Sequence, residues 1–106
     1  MNESLFWRLI EEARPRREAR TLGELVEHRD NLINGLLVWD PDEIVAFHAH
    51  FVDKLREAYR ADLWDAAYII QGGCGDDGFY AFRCWLIGEG QSAYRAVLNN
   101  PASLVR

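Results

Sequence analysis

An all-α fold, a compact bundle of five to six short helices around a central helical hairpin, is what this sequence predicts. Three observations carry that expectation. Apolar residues recur at three- and four-residue spacings along most of the chain, the pattern of helices with one buried face. No run alternates with a period of two between turn signals, as a half-buried strand would. Acidic, Asn or Thr starts and Gly or Pro stops cut the periodic stretches into short lengths. There is no internal repeat and no low-complexity tract, and the 106 residues fit one helical domain spanning 1–106.

In chain order, Asn2 or Ser4 caps a first helix that runs to about Arg14, with Phe6, Leu9, Ile10 and Ala13 on its buried stripe and Trp7 off it. Pro15 ends it. Arg14 to Arg20 form a net-positive connector, readable as a basic docking patch or, more simply, as a solvated linker. Thr21 and Glu24 make a capping box for a second helix whose apolar face holds Leu22, Leu25, Val26, Leu32 and Ile33, with Arg29 inside it. Asn34-Gly35 ends or kinks that helix and leaves Leu36 to Trp39 as an apolar segment on the core; a helix continuing to Trp39 is the alternative.

Asp40-Pro41-Asp42-Glu43 starts a third helix, because an acid cap followed by proline suits a first turn. Its stripe contains Ile44, Phe47, Phe51, Val52, Leu55, Ala58 and Tyr59, with His48 in the middle and His50 on the solvated side. The run from Leu63 to Gln71 is apolar almost all round, so it is expected to be the central helix, with Asp62 as its N-cap. Gly72 and Gly73 supply left-handed backbone to close it. Asp76 is expected to cap the fifth helix, with Asp77 in its first turn and Phe79, Phe82 and Leu86 on its stripe. A sixth helix from Gln91 to Leu98 buries Tyr94, Val97 and Leu98, and Pro101 onward forms a final turn.

Composition narrows the function classes. A net charge of -5 disfavours a nucleic-acid partner, since such binding depends on Lys and Arg neutralising phosphates. No apolar run approaches the roughly 20 residues that span a bilayer, and no secretory signal is legible at the N-terminus. A cytoplasmic protein that does not enter a membrane is therefore expected. Two cysteines, Cys74 and Cys84, are too few for a disulfide framework and are read as reduced.

Chemistry is concentrated at the turn from Gly72 to Asp77 and the helix after it. Arg83 sits at the edge of an apolar stripe, and a guanidinium that cannot lose its proton must reach water or a carboxylate, with Asp62, Asp65, Asp76 and Asp77 as candidates. The glycine-rich loop is a poor phosphate cradle, because Asp76 and Asp77 would occupy the anion site and no Walker lysine is present. Those acids are hard ligands suited to magnesium or calcium, but their spacing matches no EF-hand loop, so capping and ion pairing are preferred. No metal and no cofactor is assigned. Cys74 could be a nucleophile at a helix start, yet neighbouring carboxylates oppose thiolate formation, and an inert thiol is the simpler reading. His48 is readable as a proton shuttle or as a hydrogen-bonded core histidine. Trp7, Trp39 and Trp85 lie off the stripes and are candidates for a contact surface.

FWRLIEEA at Phe6 to Ala13, the stretch AYRADLWDAAYIIQGGCGDDGFYAFRCWLIGEG at Ala58 to Gly90, and YRAVLNNPASL after it resemble the bacterial domain-of-unknown-function 4240 family. The DLW, GGC, DD and FRxWLI elements occur in order and carry the resemblance. It implies a small bacterial cytoplasmic domain without an agreed activity, and it transfers no catalytic residue. Two readings of function follow from the residues. The preferred one is a non-enzymatic module that binds a protein partner or regulates one, through an acidic and aromatic surface. The alternative is a small-ligand-binding or catalytic domain using Asp76, Asp77 and Arg83, with His48 as base; a concave pocket lined by them would favour it.

Overall fold

A computed structural model describes residues 1–14 and 22–105, with the side chains of 26–104 in the second stretch. Among the described residues the chain is all-α, with six helices and a closing 3₁₀ turn at Pro101–Val105, and no strand. The helices are α1 (Glu3–Ala13), α2 (Leu22–Leu36), α3 (Pro41–Glu57), α4 (Ala61–Gln71), α5 (Asp76–Gly88) and α6 (Gln91–Asn99). The basic connector after Pro15 and the capping role of Thr21 and Glu24 lie outside the described residues. The chain divides into two units, Met1–His50 and Phe51–Arg106, with the boundary inside α3.

In the first unit, Asn2 caps α1 by accepting a 2.8 Å hydrogen bond from the Leu5 amide. Phe6, Trp7, Ile10 and Ala13 are its buried residues. Trp7 is therefore core, contrary to its expected place off the stripe: its ring meets Phe6 edge-on at 5.1 Å between centroids, a favoured aromatic geometry. α2 packs on α1 and runs through Asn34-Gly35 to Leu36, since one helical glycine costs only about 1 kcal/mol relative to alanine.

The polar side of α2 is what holds α1. His28 places Nε2 3.0 Å from the Ile10 carbonyl, and Asn31 donates from Nδ2 to the Ala13 carbonyl at 3.0 Å. These are carbonyls of the last turn of α1, which has no intrahelical partner for them. Because a carbonyl only accepts, the His28 proton sits on Nε2. Two expectations fail beside this contact. Arg29 is exposed and paired with Asp30 at 3.3 Å, not inside an apolar face. Leu37 and Val38 are exposed, not packed on the core.

Phe47, Leu55 and Ala58 of the expected α3 stripe are buried, but Lys54 is buried beside them and Tyr59 is exposed. The two histidines exchange places. His48 is exposed, whereas His50 is half-buried, tilted over Phe6 at 5.6 Å with Nε2 3.0 Å from the Met1 carbonyl. The N-terminal ammonium meets Glu43 in the first turn of α3 at 2.9 Å.

In the second unit, Leu63, Ala66 and Ala67 of α4, Phe79, Phe82, Leu86 and Ile87 of α5, and Tyr94 and Val97 of α6 are buried. The closing 3₁₀ turn packs on α4 and α6. α4 is not buried all round as its composition suggests: Tyr68, Ile69 and Ile70 are exposed toward its C-terminal end.

Candidate functional site

The hairpin of α4 and α5 is closed by backbone and by one tryptophan. Gly72 is left-handed at φ 69°, and the Gly73 amide reaches back to the Tyr68 carbonyl at 2.9 Å, the six-to-one bond of a Schellman turn. Trp64 then ties the turn to both helices. Its indole N–H donates to the Cys74 carbonyl at 2.8 Å, and its ring stacks on Phe79 with centroids 4.7 Å apart. Gly78 lies under this turn, where a Cβ would meet Gln71 Oε1 at 3.4 Å and Cys74 Sγ at 3.5 Å.

The acids do not cap as the sequence suggests. Arg60 occupies the N-cap position of α4 and Gly75 that of α5, and neither supplies a side-chain cap. Asp62 is in the first turn of α4, where it takes hydrogen bonds from Arg60 at 2.6 and 3.0 Å and from the Leu63 amide at 2.8 Å. The Arg60 hydrogen bond holds the Asp62 carboxyl below its ordinary range and lifts the guanidinium in return. Asp76 and Asp77 stand exposed in the first turn of α5, favoured there by the helix dipole. Asp65 is exposed and shares with Trp64, Tyr68 and Cys74 a shallow depression of about 390 Å³. Among the described residues no group of three or more His, Cys, Asp or Glu is arranged to hold a metal ion.

Arg83 departs furthest from expectation. It is only 8% exposed, and no carboxylate pairs with it among the described residues. Instead Nη1 donates to the Leu55 carbonyl at 2.8 Å, in the last turn of α3. The guanidinium lies 4.8 Å from the centroid of Phe79, 4.9 Å from that of Tyr59 and 5.8 Å from that of Tyr80. A helix C-terminus carries roughly half a negative charge, so the end of α3 and three aromatic faces stand in for the missing counter-ion. The Nε–H is buried and has no hydrogen-bond partner among the described residues. Next to it, the Tyr94 hydroxyl donates to the Lys54 carbonyl at 2.8 Å, with the Glu57 carboxylate 3.3 Å away. Burial and that carboxylate push the Tyr94 phenol far above its ordinary 10.

The candidates thus separate. Asp65 and Cys74 come together; Arg83 turns to the end of α3 and joins none of the acids. His48 belongs to the first unit, in which its ring is exposed. Cys84 is half-buried on α5, and burial raises its thiol pKa, which lowers the thiolate fraction at neutral pH.

Trp85 lies at a feature the sequence did not reveal. An apolar groove of about 400 Å³ is lined by Ile70, Gln71, Ala81, Phe82, Trp85 and Leu104. Trp85 is 40% exposed at its edge, and Ile69 and Ile70 of α4 are 68% and 48% exposed. Its signals in the sequence were Trp85 off the α5 stripe, read as a contact candidate, and the excess of apolar residues around α4, read as deep burial.

No helix among the described residues is long and apolar enough to cross a membrane. No curated protein and no solved structure significantly matches the chain. A family model described as protein of unknown function (DUF4240) matches residues 1–106, its whole length, and the chain therefore belongs to the DUF4240 family.

Proposed function

We propose that this protein is a non-enzymatic protein-interaction module that docks a partner through the groove between α4, α5 and the closing 3₁₀ turn. The observation that carries the reading is the groove itself, with Trp85 and Ile70 exposed in its wall. Apolar surface in water costs about 25 cal/mol per Å², and tryptophan at the edge of a pocket is a common anchor of protein interfaces. Residues of this size gathered on adjoining helices at one groove are what a docking surface requires. The turn from Gly72 to Asp77 offers weaker support for catalysis. Trp64 engages its Cys74 carbonyl, and the buried cation after it has its hydrogen bond at the end of α3.

A photo-crosslinking residue at Ala81, which lines the groove and is exposed, tests this reading in cells. A discrete protein adduct that disappears when Ile70→Glu is added is the expected result. Labelling that is indifferent to Ile70→Glu would overturn docking at this groove. Stabilisation by a metabolite or divalent metal that Asp77→Asn abolishes would instead support ligand binding at the turn.

A further inference from the structure

We infer that the depression on α4 beside the Gly72 to Asp77 turn is a binding site for a quaternary ammonium group, its methyl groups against Trp64 and Tyr68 and its charge facing Asp65. The site shares no lining residue with the groove around Trp85 and does not depend on the docking reading. Ala61, Trp64, Asp65, Tyr68 and Cys74 line about 390 Å³. The four from α4 follow at three- and four-residue steps, which keep side chains on one side of a helix. Ala61 contributes only a methyl group and takes little of the space.

What lines the depression is electron-rich, and no cationic side chain is among it. Trp64 has one polar hydrogen, which the Cys74 carbonyl engages at 2.8 Å, so the indole offers a ligand only its π surface. Phe79, stacked at 4.7 Å, and Tyr59, edge-on at 5.9 Å, fix that indole before any ligand arrives. Tyr68 is 57% exposed and adds a second ring, while the Cys74 thiol stays on the Gly75 carbonyl at 3.7 Å. Asp65 is exposed and pairs with no cation among the described residues. Arg60 is bound to Asp62 and Arg83 to the Leu55 carbonyl, and neither lines the space. Ring faces carry partial negative charge and attract cations, and a carboxylate beside them repels anions. One carboxylate is too little for calcium or magnesium, which take about six or more oxygen ligands. A primary ammonium keeps its N–H donors satisfied in water more readily than over ring faces. A fully methylated ammonium has no N–H to satisfy, sheds water more easily and meets the rings through its methyl groups.

The probe is choline chloride, titrated into the purified chain while the indole N–H signals are followed by NMR. Its uncharged carbon isostere, and sodium chloride at equal ionic strength, are the controls. The Trp64 signal, identified by its loss in Trp64→Phe, should move saturably with a Kd in the roughly millimolar range, and neither control should move it. Asp65→Asn should weaken binding roughly fivefold. Tyr68→Ala should weaken it by about as much, whereas Tyr68→Phe keeps the ring and should stay within about twofold of the wild type. Glu27→Gln, which removes the same charge from an exposed position on α2, should change nothing. A peptide bearing trimethyllysine that binds more tightly than choline assigns the ammonium to a protein partner, and one that binds no more tightly assigns it to a free molecule; either result supports the site. An isostere as effective as choline would overturn cation recognition. No saturable shift at Trp64 at tens of millimolar choline, or an affinity indifferent to both Asp65→Asn and Tyr68→Ala, would overturn the site itself.

Discussion

Replacing Arg83 by methionine tests the idea that the end of α3 serves as its counter-charge. The variant loses a charged hydrogen bond to the Leu55 carbonyl, about 2 kcal/mol, and a cation held over the faces of Phe79 and Tyr59, about 1 kcal/mol. It also strands that carbonyl, a further loss of about 1 kcal/mol. Opposing these, methionine fills similar space, abolishes the unpartnered Nε–H and relieves the guanidinium of its desolvation, a return of about 2 kcal/mol. The net expectation is a loss of about 2 kcal/mol, and calorimetry should register a fall of roughly 10 °C in Tm for a chain of this size. Arg83→Lys keeps the charge without the flat stacking surface and should fall between the two. Methionine matching or exceeding the wild type would refute the reasoning, because the end of α3 would then contribute nothing that offsets burying the cation. Specific stabilisation of the wild type by phosphate or sulfate, absent in the methionine variant, would equally refute it by revealing an anion site.

Gly72→Ala should cost about 1 kcal/mol and several degrees of Tm, since the φ of 69° is strained for a Cβ although nothing crowds the position; Gly72→Asn should cost less. Tyr94 retains its proton more tightly folded than unfolded, so its contribution to stability is complete below the ordinary pKa of 10.0 and is lost as pH rises toward the higher folded value. Tyr94→Phe should therefore flatten the alkaline limb of a Tm-against-pH curve, and an ultraviolet titration should show Tyr94 ionising last of the four tyrosines. Iodoacetamide should alkylate Cys84 in a Cys74→Ser background at least roughly tenfold more slowly than free cysteine at pH 8, because burial suppresses the thiolate; labelling as fast as the free thiol would contradict that environment.

The helices were legible because their punctuation is local. Asn2, the Asp40-Pro41 pair, Gly72-Gly73 and the Asn99-Asn100-Pro101 stop each act within one turn of where they stand, and the elements begin or end beside them. Burial depended on something that periodicity does not contain, the direction from which neighbours arrive. On α3 the apolar stripe and the buried side differ by enough to bring Lys54 and His50 in and leave His48 out. On α4 an almost wholly apolar run was read as interior, yet Tyr68, Ile69 and Ile70 remain exposed. Arg83 was recognised as a cation in need of a partner, but the search was confined to carboxylates. Its acceptor is a main-chain carbonyl at Leu55, and no residue type marks such an acceptor. The same blindness hid His28 and Asn31, whose acceptors are the carbonyls of Ile10 and Ala13.

Those remote closures of helix ends also bear on synthesis. α1 waits 18 residues for His28 and for Asn31, while the last turn of α3 waits 28 residues for Arg83 and 40 for Tyr94. A chain leaving the ribosome at roughly 5–20 residues per second therefore exposes the end of α3 for seconds with its carbonyls met only by water. Until α6 emerges that end can fray, and a chain truncated before Tyr94 should stay open to proteases at residues 54–60 long after its first helices have formed.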